Sequence, residues 1–301
     1  MSSINGKLSK ISLWLKSTRP RTLPAAAAPV IIGIALAYYE NKINLFIAIF
    51  TLLSALLIQV GTNFANDYFD FIKGADTDKR IGPVRLIQAG LIKKNEMLAA
   101  FIITFIAAAV LGVFLVLRGG YPVLLIGIFA IIFGILYTAG PAPLGYIGLG
   151  DIFVFIFFGL ISVTGTYYLQ ALKINQVVLI ASLAPGFLSV AILTANNLRD
   201  IKTDREAGKR TLIARFGYKF GLFEYLFCII AAHLVPVILV LITKSHYFSL
   251  VSVLTAVMAV KPVKIILSRP EPGHLIPVLG KTGQILLIFS ILFSIGWNIK
   301  I

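Results

Sequence analysis

Hydrophobic residues in this chain come in long unbroken runs. They show neither the every-second-residue alternation of a half-buried strand nor the one-sided stripe of a soluble helix. Uncharged stretches recur at Thr22–Tyr39, Ile43–Asn66, Met97–Leu117, Gly119–Gly150, Ile152–Leu172, Ile174–Leu198, Tyr225–Thr243, Ser245–Val260 and Thr282–Asn298. A bilayer core of about 30 Å takes roughly 20 apolar residues as a helix, so each stretch is a candidate span. The fourth is overlong, but Gly-Pro-Ala-Pro-Leu-Gly at 140–145 interrupts it and leaves one span at about 121–138. Apolarity on all faces argues for helices and against barrel strands, which alternate. The pattern therefore predicts an all-α polytopic membrane bundle of nine transmembrane helices.

Composition agrees. Of 301 residues, 58% are hydrophobic and only 13% charged, where a soluble domain carries about 25% charged residues. The single cysteine, Cys228, excludes an intramolecular disulfide and reads as a small core residue. No cleavable signal is expected, because the first apolar run leads straight into more membrane sequence. Ahead of it, Lys7–Ser17 (KLSKISLWLKS) reads either as an interfacial amphipathic helix or as a basic tail.

The basic residues orient the spans. With nine spans, 22 of the 27 Lys and Arg fall on the side of the N-terminus and five (Lys42, Arg118, Lys173, Lys244, Lys300) on the other. A missed or invented span would scramble that split. The N-terminus and the loops after spans two and six are thus expected in the cytoplasm of a multi-pass plasma (inner) membrane protein. The net charge of +15 is then mostly an orientation signal that also favours anionic lipid headgroups. No basic soluble domain is present to bind nucleic acid, and no nucleic-acid partner is expected.

The acidic residues cluster on the same side, and they contribute little to topology. One cluster runs Asn66-Asp67-Tyr68-Phe69-Asp70 to Lys73-Gly74-Ala75-Asp76, the other Asn196-Asn197-Leu198-Arg199-Asp200 to Asp204, 130 residues apart. Each repeats Asn, then Asp four residues later, then another Asp, and each is followed by a Lys-Arg pair, Lys79-Arg80 or Lys209-Arg210. Residues four apart share a helix face, which aligns Asn66 with Asp70 and makes a stripe of Asn196, Asp200 and Asp204. Asp67 lies about 100° away from Asn66 and reads as a cap or solvated charge. Two acidic stripes facing each other near lipid need a counter-charge. Mg²⁺ suits oxygen donors and takes one or two carboxylates plus waters and substrate phosphates. The flanking Lys73, Arg80, Arg85, Arg199, Lys209 and Arg210 supply the charge to hold a diphosphate. Carboxylates, a metal and basic groups together point to a phosphorylated substrate whose reacting part lies in the membrane.

A secondary transporter also has duplicated halves and intramembrane acids, but its sites lie near the bilayer midplane, whereas these acids sit at helix ends. A purely structural scaffold leaves the repeated clusters unexplained.

The stretches RPRTLPAAAAPVIIG at 19–33, NDYFDFIKGADTDKRIGPVRLIQAG at 66–90 and NNLRDIKTDREAGKRTLIARFG at 196–217 resemble the UbiA superfamily of intramembrane prenyltransferases. Within it they are most similar to the 1,4-dihydroxy-2-naphthoate branch, which Gly82-Pro83-Val84-Arg85-Leu86 and Gly208-Lys209-Arg210-Thr211 favour. The resemblance implies one integral-membrane prenyltransferase domain over 1–301, built around a central cavity. It has two pseudo-repeated halves, roughly 20–138 and 147–270, and a final helix. It implies Mg²⁺-assisted ionisation of a polyprenyl diphosphate and alkylation of 1,4-dihydroxy-2-naphthoate with loss of the carboxylate, giving demethylmenaquinone. Another aromatic or lipid acceptor is the alternative within the family. The implied metal and diphosphate ligands are Asn66, Asp70, Asp76, Asn196, Asp200 and Asp204. Asp70, Asp200, Lys209 and Arg210 carry the catalysis, and Lys73, Arg85 and Arg199 hold the diphosphate or the acceptor carboxylate. One departure is Gly74, where the family pattern places an Asp eight residues after the Asn, so Asp76 stands in for it. Arg19 and Arg21 read as further site residues or as topology charges. Tyr137, Tyr167 and Tyr168 are candidates to face the cavity, with packing roles as their alternative, and His233 reads as a structural histidine.

Overall fold

A computed structural model describes residues 10–74 and 85–300, and every regular element among them is helical. A short helix α1 (Lys10–Ser17) leads into α2 (Leu23–Tyr39), α3 (Leu45–Ile72), α4 (Lys94–Gly119) and α5 (Tyr121–Leu136). Next come α6 (Gly150–Phe155) and α7 (Ser162–Ala171), joined into one rod by a π-helical stretch at Ile156–Ile161. The chain closes with α8 (Gln176–Glu206), α9 (Leu212–Phe216), α10 (Tyr218–Thr243), α11 (Ala256–Leu267) and α12 (Ile276–Asn298).

Among the described residues eight helical segments are long and apolar enough to cross a membrane. The ninth expected span is α5. At 16 residues it is shorter than the rest and, at about 1.5 Å per residue, covers only about 24 Å of a roughly 30 Å core. Turns through the Gly-Pro-rich segment follow it at once. The chain is a multi-pass membrane protein. Many large apolar side chains along its helices are exposed, as at Ile103, Leu117, Leu241 and Val257, and such a surface suits lipid.

The two helices that carry the Asn/Asp clusters start in the same way. Asn44 caps α3 by accepting from the Ile47 N–H at 3.1 Å, and Asn175 caps α8 by accepting from the Val178 N–H at 2.9 Å. Of the two, α8 is the inner helix: it packs against α2, α6, α7, α10 and α12, and Ala184, Leu188, Ala191, Ala195 and Leu198 along it are buried. Where α8 meets the π-helical stretch, Gly159 and Gly186 touch backbone to backbone. A Cβ on Gly159 would sit 2.7 Å from the Gly186 Cα. Small residues let membrane helices approach this closely.

Within the N-terminal basic segment, Lys10–Ser17 is a helix that buries Leu13 and sets Trp14 edge-on to Phe64, while Lys10 reaches Glu96 at 3.2 Å. Cys228 is buried. His233 is buried too, bonded to the Ile229 carbonyl and the Thr255 hydroxyl at 2.7 and 2.9 Å, which is a structural role. Tyr167 and Tyr168 turn to packing partners at the far end of the bundle. The Tyr167 hydroxyl donates to Glu40 at 2.7 Å and that of Tyr168 to the Gly119 carbonyl at 3.1 Å.

Candidate active site

A cavity of about 430 Å³ opens between α2, α3, α5, the α6–α7 rod and α8. Its deep walls are apolar, from Val30, Ile58, Phe133, Phe157 and Ile161. Its polar end gathers the two clusters. The last turns of α3 bring Asn66 and Asp70 to the lining, and those of α8 bring Asn196, Asp200 and Asp204, as a spacing of four along one helix face requires. Helix α3 stops at Ile72, and Gly74 follows in the left-handed conformation at φ +64°. Asp76, expected as a ligand, and the Lys79-Arg80 pair lie outside the described residues.

Each lining carboxylate already has a partner. Asp70 accepts from the Tyr146 hydroxyl at 2.7 Å on one oxygen and from the Arg85 guanidinium at 2.8 Å on the other. Asp200 is bound by the Arg199 side chain through Nε at 2.7 Å, and the same guanidinium donates to the Asn196 amide oxygen at 2.8 Å. The Lys209 ammonium is 3.5 Å from Asp204. The Asn66 amide oxygen accepts from the Thr138 hydroxyl at 2.9 Å.

The basic residues divide. Arg85 and Lys209 line the cavity. Arg199 is buried beside it and spends its guanidinium on Asp200 and Asn196. Lys73 stands at the rim, donating to the Gly140 carbonyl at 2.7 Å. Desolvation there lowers its pKa below the ordinary lysine value, against the opposing pull of Asp70. The Arg210 side chain is exposed and away from the lining, while its backbone N–H donates to the Tyr146 carbonyl at 2.6 Å.

Three residues at this end escape a reading by spacing alone. Asp67, off the ligand face by helix geometry, is no solvated charge: it is buried and ion-paired with both Arg19 and Arg85. Arg19 lines the cavity from a left-handed backbone at φ 53°, a conformation that a non-glycine residue holds only under surrounding constraint. Arg21 is not in the lining. Tyr146, on the loop between α5 and α6, faces the same space, with Lys73 and Lys209 5.2 and 4.6 Å from its ring centre. Tyr137 also lines the cavity. The sequence feature that marks this loop is the Gly-Pro-rich interruption at 140–145.

Among the described residues no three His, Cys, Asp or Glu side chains converge into a ready metal site. Of the expected ligands, those that line the cavity are Asn66, Asp70, Asn196, Asp200 and Asp204, which offer the oxygens of two amides and three carboxylates. Such a set fits a hard ion that completes its shell from substrate phosphates and water.

Comparison with known proteins adds the lineage. The sequence model of the UbiA prenyltransferase family matches residues 26–273. The chain is 38% identical to 1,4-dihydroxy-2-naphthoate octaprenyltransferase of Escherichia coli strain K12, over 96% of each chain. It is also 38% identical to the enzyme of the same name from Haemophilus influenzae, over 95% of this chain and 96% of that one. Among solved structures it resembles a UbiA homologue from Archaeoglobus fulgidus bound to DMAPP and Mg²⁺, with a TM-score of 0.67 and 16% identity over 94% of this chain and 99% of that chain. At that identity the likeness concerns the fold.

Proposed function

The chain belongs to the UbiA prenyltransferase family, and we propose that it transfers a polyprenyl group from its diphosphate to 1,4-dihydroxy-2-naphthoate, with loss of the carboxylate as CO₂. The observation that carries this reading is one cavity with two ends of opposite character. Carboxylates and cations line one end, and apolar side chains line the depth. A polyprenyl diphosphate has the same division.

The diphosphate is read at the polar end, within reach of Lys209 and Arg85. Asn66, Asp70, Asn196, Asp200 and Asp204 would hold Mg²⁺ there, with Asp76 as a further ligand. When bound, the ion neutralises charge on the departing diphosphate. The chain's own cations share that electrostatic work: Arg85 is fixed by Asp67 and Asp70 and needs no rearrangement to act. The isoprenoid tail extends between Phe133, Phe157 and Ile161, whose burial of it excludes water from the allylic carbon. Tyr137 presents an aromatic face in the same space and suits a developing cation. The allylic C–O bond breaks and its electron pair leaves with the diphosphate; the ring supplies the electrons for the new C–C bond, and the ring–carboxylate bond then breaks, returning its pair to the ring as CO₂ departs. The acceptor carboxylate is read against Arg19 and Arg85. Arg199, turned inward on α8, positions Asp200 and Asn196, and Arg210 serves the loop through its backbone. The N-terminus and the polar end face the cytoplasm in this reading.

The test is purified protein in lipid with labelled prenyl diphosphate and a panel of aromatic acceptors, with Mg²⁺ or with EDTA. Lipid-soluble product that needs both Mg²⁺ and dihydroxynaphthoate is expected. Full activity in EDTA sinks the mechanism, and turnover only with other acceptors sinks the assignment of the ring.

A further inference from the structure

The loop between α5 and α6 is stapled to both halves of the site. From the α3 side, Lys73 reaches the Gly140 carbonyl at 2.7 Å. From the α8 side, Arg215 donates to the Ile147 carbonyl at 3.0 Å and the Arg210 N–H to the Tyr146 carbonyl at 2.6 Å. Gly148 makes this approach possible. Its φ is +87°, and a Cβ there would lie 2.8 Å from the Arg210 carbonyl oxygen.

Tyr146 is carried at the centre of this loop, and its hydroxyl and ring together touch both halves. Its hydroxyl donates to Asp70 of the first cluster. Its ring lies near Lys73, within the first cluster, and Lys209, just beyond the second. Two ammoniums repel each other, so gathering them at one ring is favourable only where π density and nearby carboxylates offset the repulsion. An anion entering the cavity mouth meets both.

We propose that Tyr146 is a positioning residue that matches the two half-sites. Its hydroxyl sets the orientation in which Asp70 offers its carboxylate to a metal, and its ring keeps Lys73 and Lys209 where a diphosphate arrives. This inference rests on the functional reading above and adds a residue that neither Asn/Asp cluster contains. A hydrogen-bond donor behind a ligating carboxylate orients it and adjusts its affinity. A ring that holds an ammonium by its π face releases it to a phosphate readily, because the contact is weak at an exposed site.

Two substitutions separate the parts. Tyr146→Phe keeps the ring and removes the hydroxyl; Tyr146→Leu removes both. In lipid-reconstituted full-length protein, Tyr146→Phe is expected to raise the Mg²⁺ concentration for half-maximal rate on the order of tenfold while leaving the KM for prenyl diphosphate unchanged. Tyr146→Leu is expected to raise the Mg²⁺ requirement equally and the donor KM by about fivefold in addition. The same ranking is read without turnover, from the protection against heat unfolding given by Mg²⁺ with inorganic diphosphate. The Mg²⁺ midpoint moves in both variants and the diphosphate midpoint only in Tyr146→Leu. Wild-type midpoints in Tyr146→Phe overturn the proposal, and they decide it alone if Tyr146→Leu fails to fold. Wild-type protein that Mg²⁺ and diphosphate do not protect at all overturns instead the functional reading beneath it.

Discussion

Asp67 and Arg85 form an ion pair at the mouth of the cavity, with both side chains more than nine-tenths buried. Arg19 closes on the same carboxylate from the start of the membrane domain. One residue thus holds two arginines in place, and both arginines line the cavity. Removing it leaves two cations in low dielectric without their shared counter-charge. Breaking such a pair typically costs about 3–5 kcal/mol. Asp67→Ala is therefore expected to lower the unfolding midpoint in detergent sharply and to disorder the site, while Arg19→Ala, on the more exposed partner, costs less. Equal, small effects of both would show that the pair contributes nothing.

Asp70 and Asp200 stand one on each cluster-bearing helix and line the same cavity. Replacing either by Asn preserves shape and removes charge. Each substitution is expected to reduce the kcat of the folded protein by at least about 100-fold, in addition to the stability lost by unpairing Arg85 or Arg199. Single-turnover chemistry in reconstituted membranes checks this. Unaltered rates in both variants exclude the carboxylates from the mechanism.

Gly159 lies where the π-helical stretch meets Gly186, and a Cβ would also come within 2.9 Å of the Ser182 carbonyl. The obstruction is backbone, which cannot rotate away. Gly159→Ala is expected to cost about 1–3 kcal/mol through overpacking and to shift the wall that carries Phe157 and Phe158. The expected signature is lower thermal stability together with a changed preference for prenyl chain length. Gly112, outside the cavity lining and with nothing within 4 Å of an added Cβ, is the control.

Glu40, at the far end of α2, accepts from Tyr167 at 2.7 Å and from Asn175 at 3.2 Å, and pairs with Lys173 at 2.8 Å. Burial alone would raise its pKa, but these three partners outweigh that effect and hold it below the ordinary carboxylate value. A carboxylate depressed on folding stabilises the protein above its unfolded pKa and loses that contribution as pH falls through the folded value. The stability gap between wild type and Glu40→Gln should thus stay level near neutrality and narrow only below about pH 4. Thermal midpoints across pH 3.5 to 8 read it directly; a gap that closes near pH 6 contradicts the assignment.

Much of this molecule is legible in its sequence, because bilayer thickness turns apolar run length into spans. Basic-residue asymmetry and the four-residue helix period then bring Asn66, Asp70, Asn196, Asp200 and Asp204 to one side and one face. Period arguments treat each helix alone, and that is where they stop. They set Asp67 aside because it is off the face that Asn66 and Asp70 share, although neighbouring segments place Arg19 and Arg85 there. They treat Arg199, Lys209 and Arg210 alike, although only Lys209 lines the cavity. They are silent on Tyr146, because a loop has no period. Hydrophobic patterning and charge placement are properties of the linear chain, and they determine the helical class, the spans and the polar helix faces that meet the cavity. Which charges pair, and which loop side chain stands between the two clusters, depends on approach distances between segments far apart in sequence, and only the packed tertiary structure decides those.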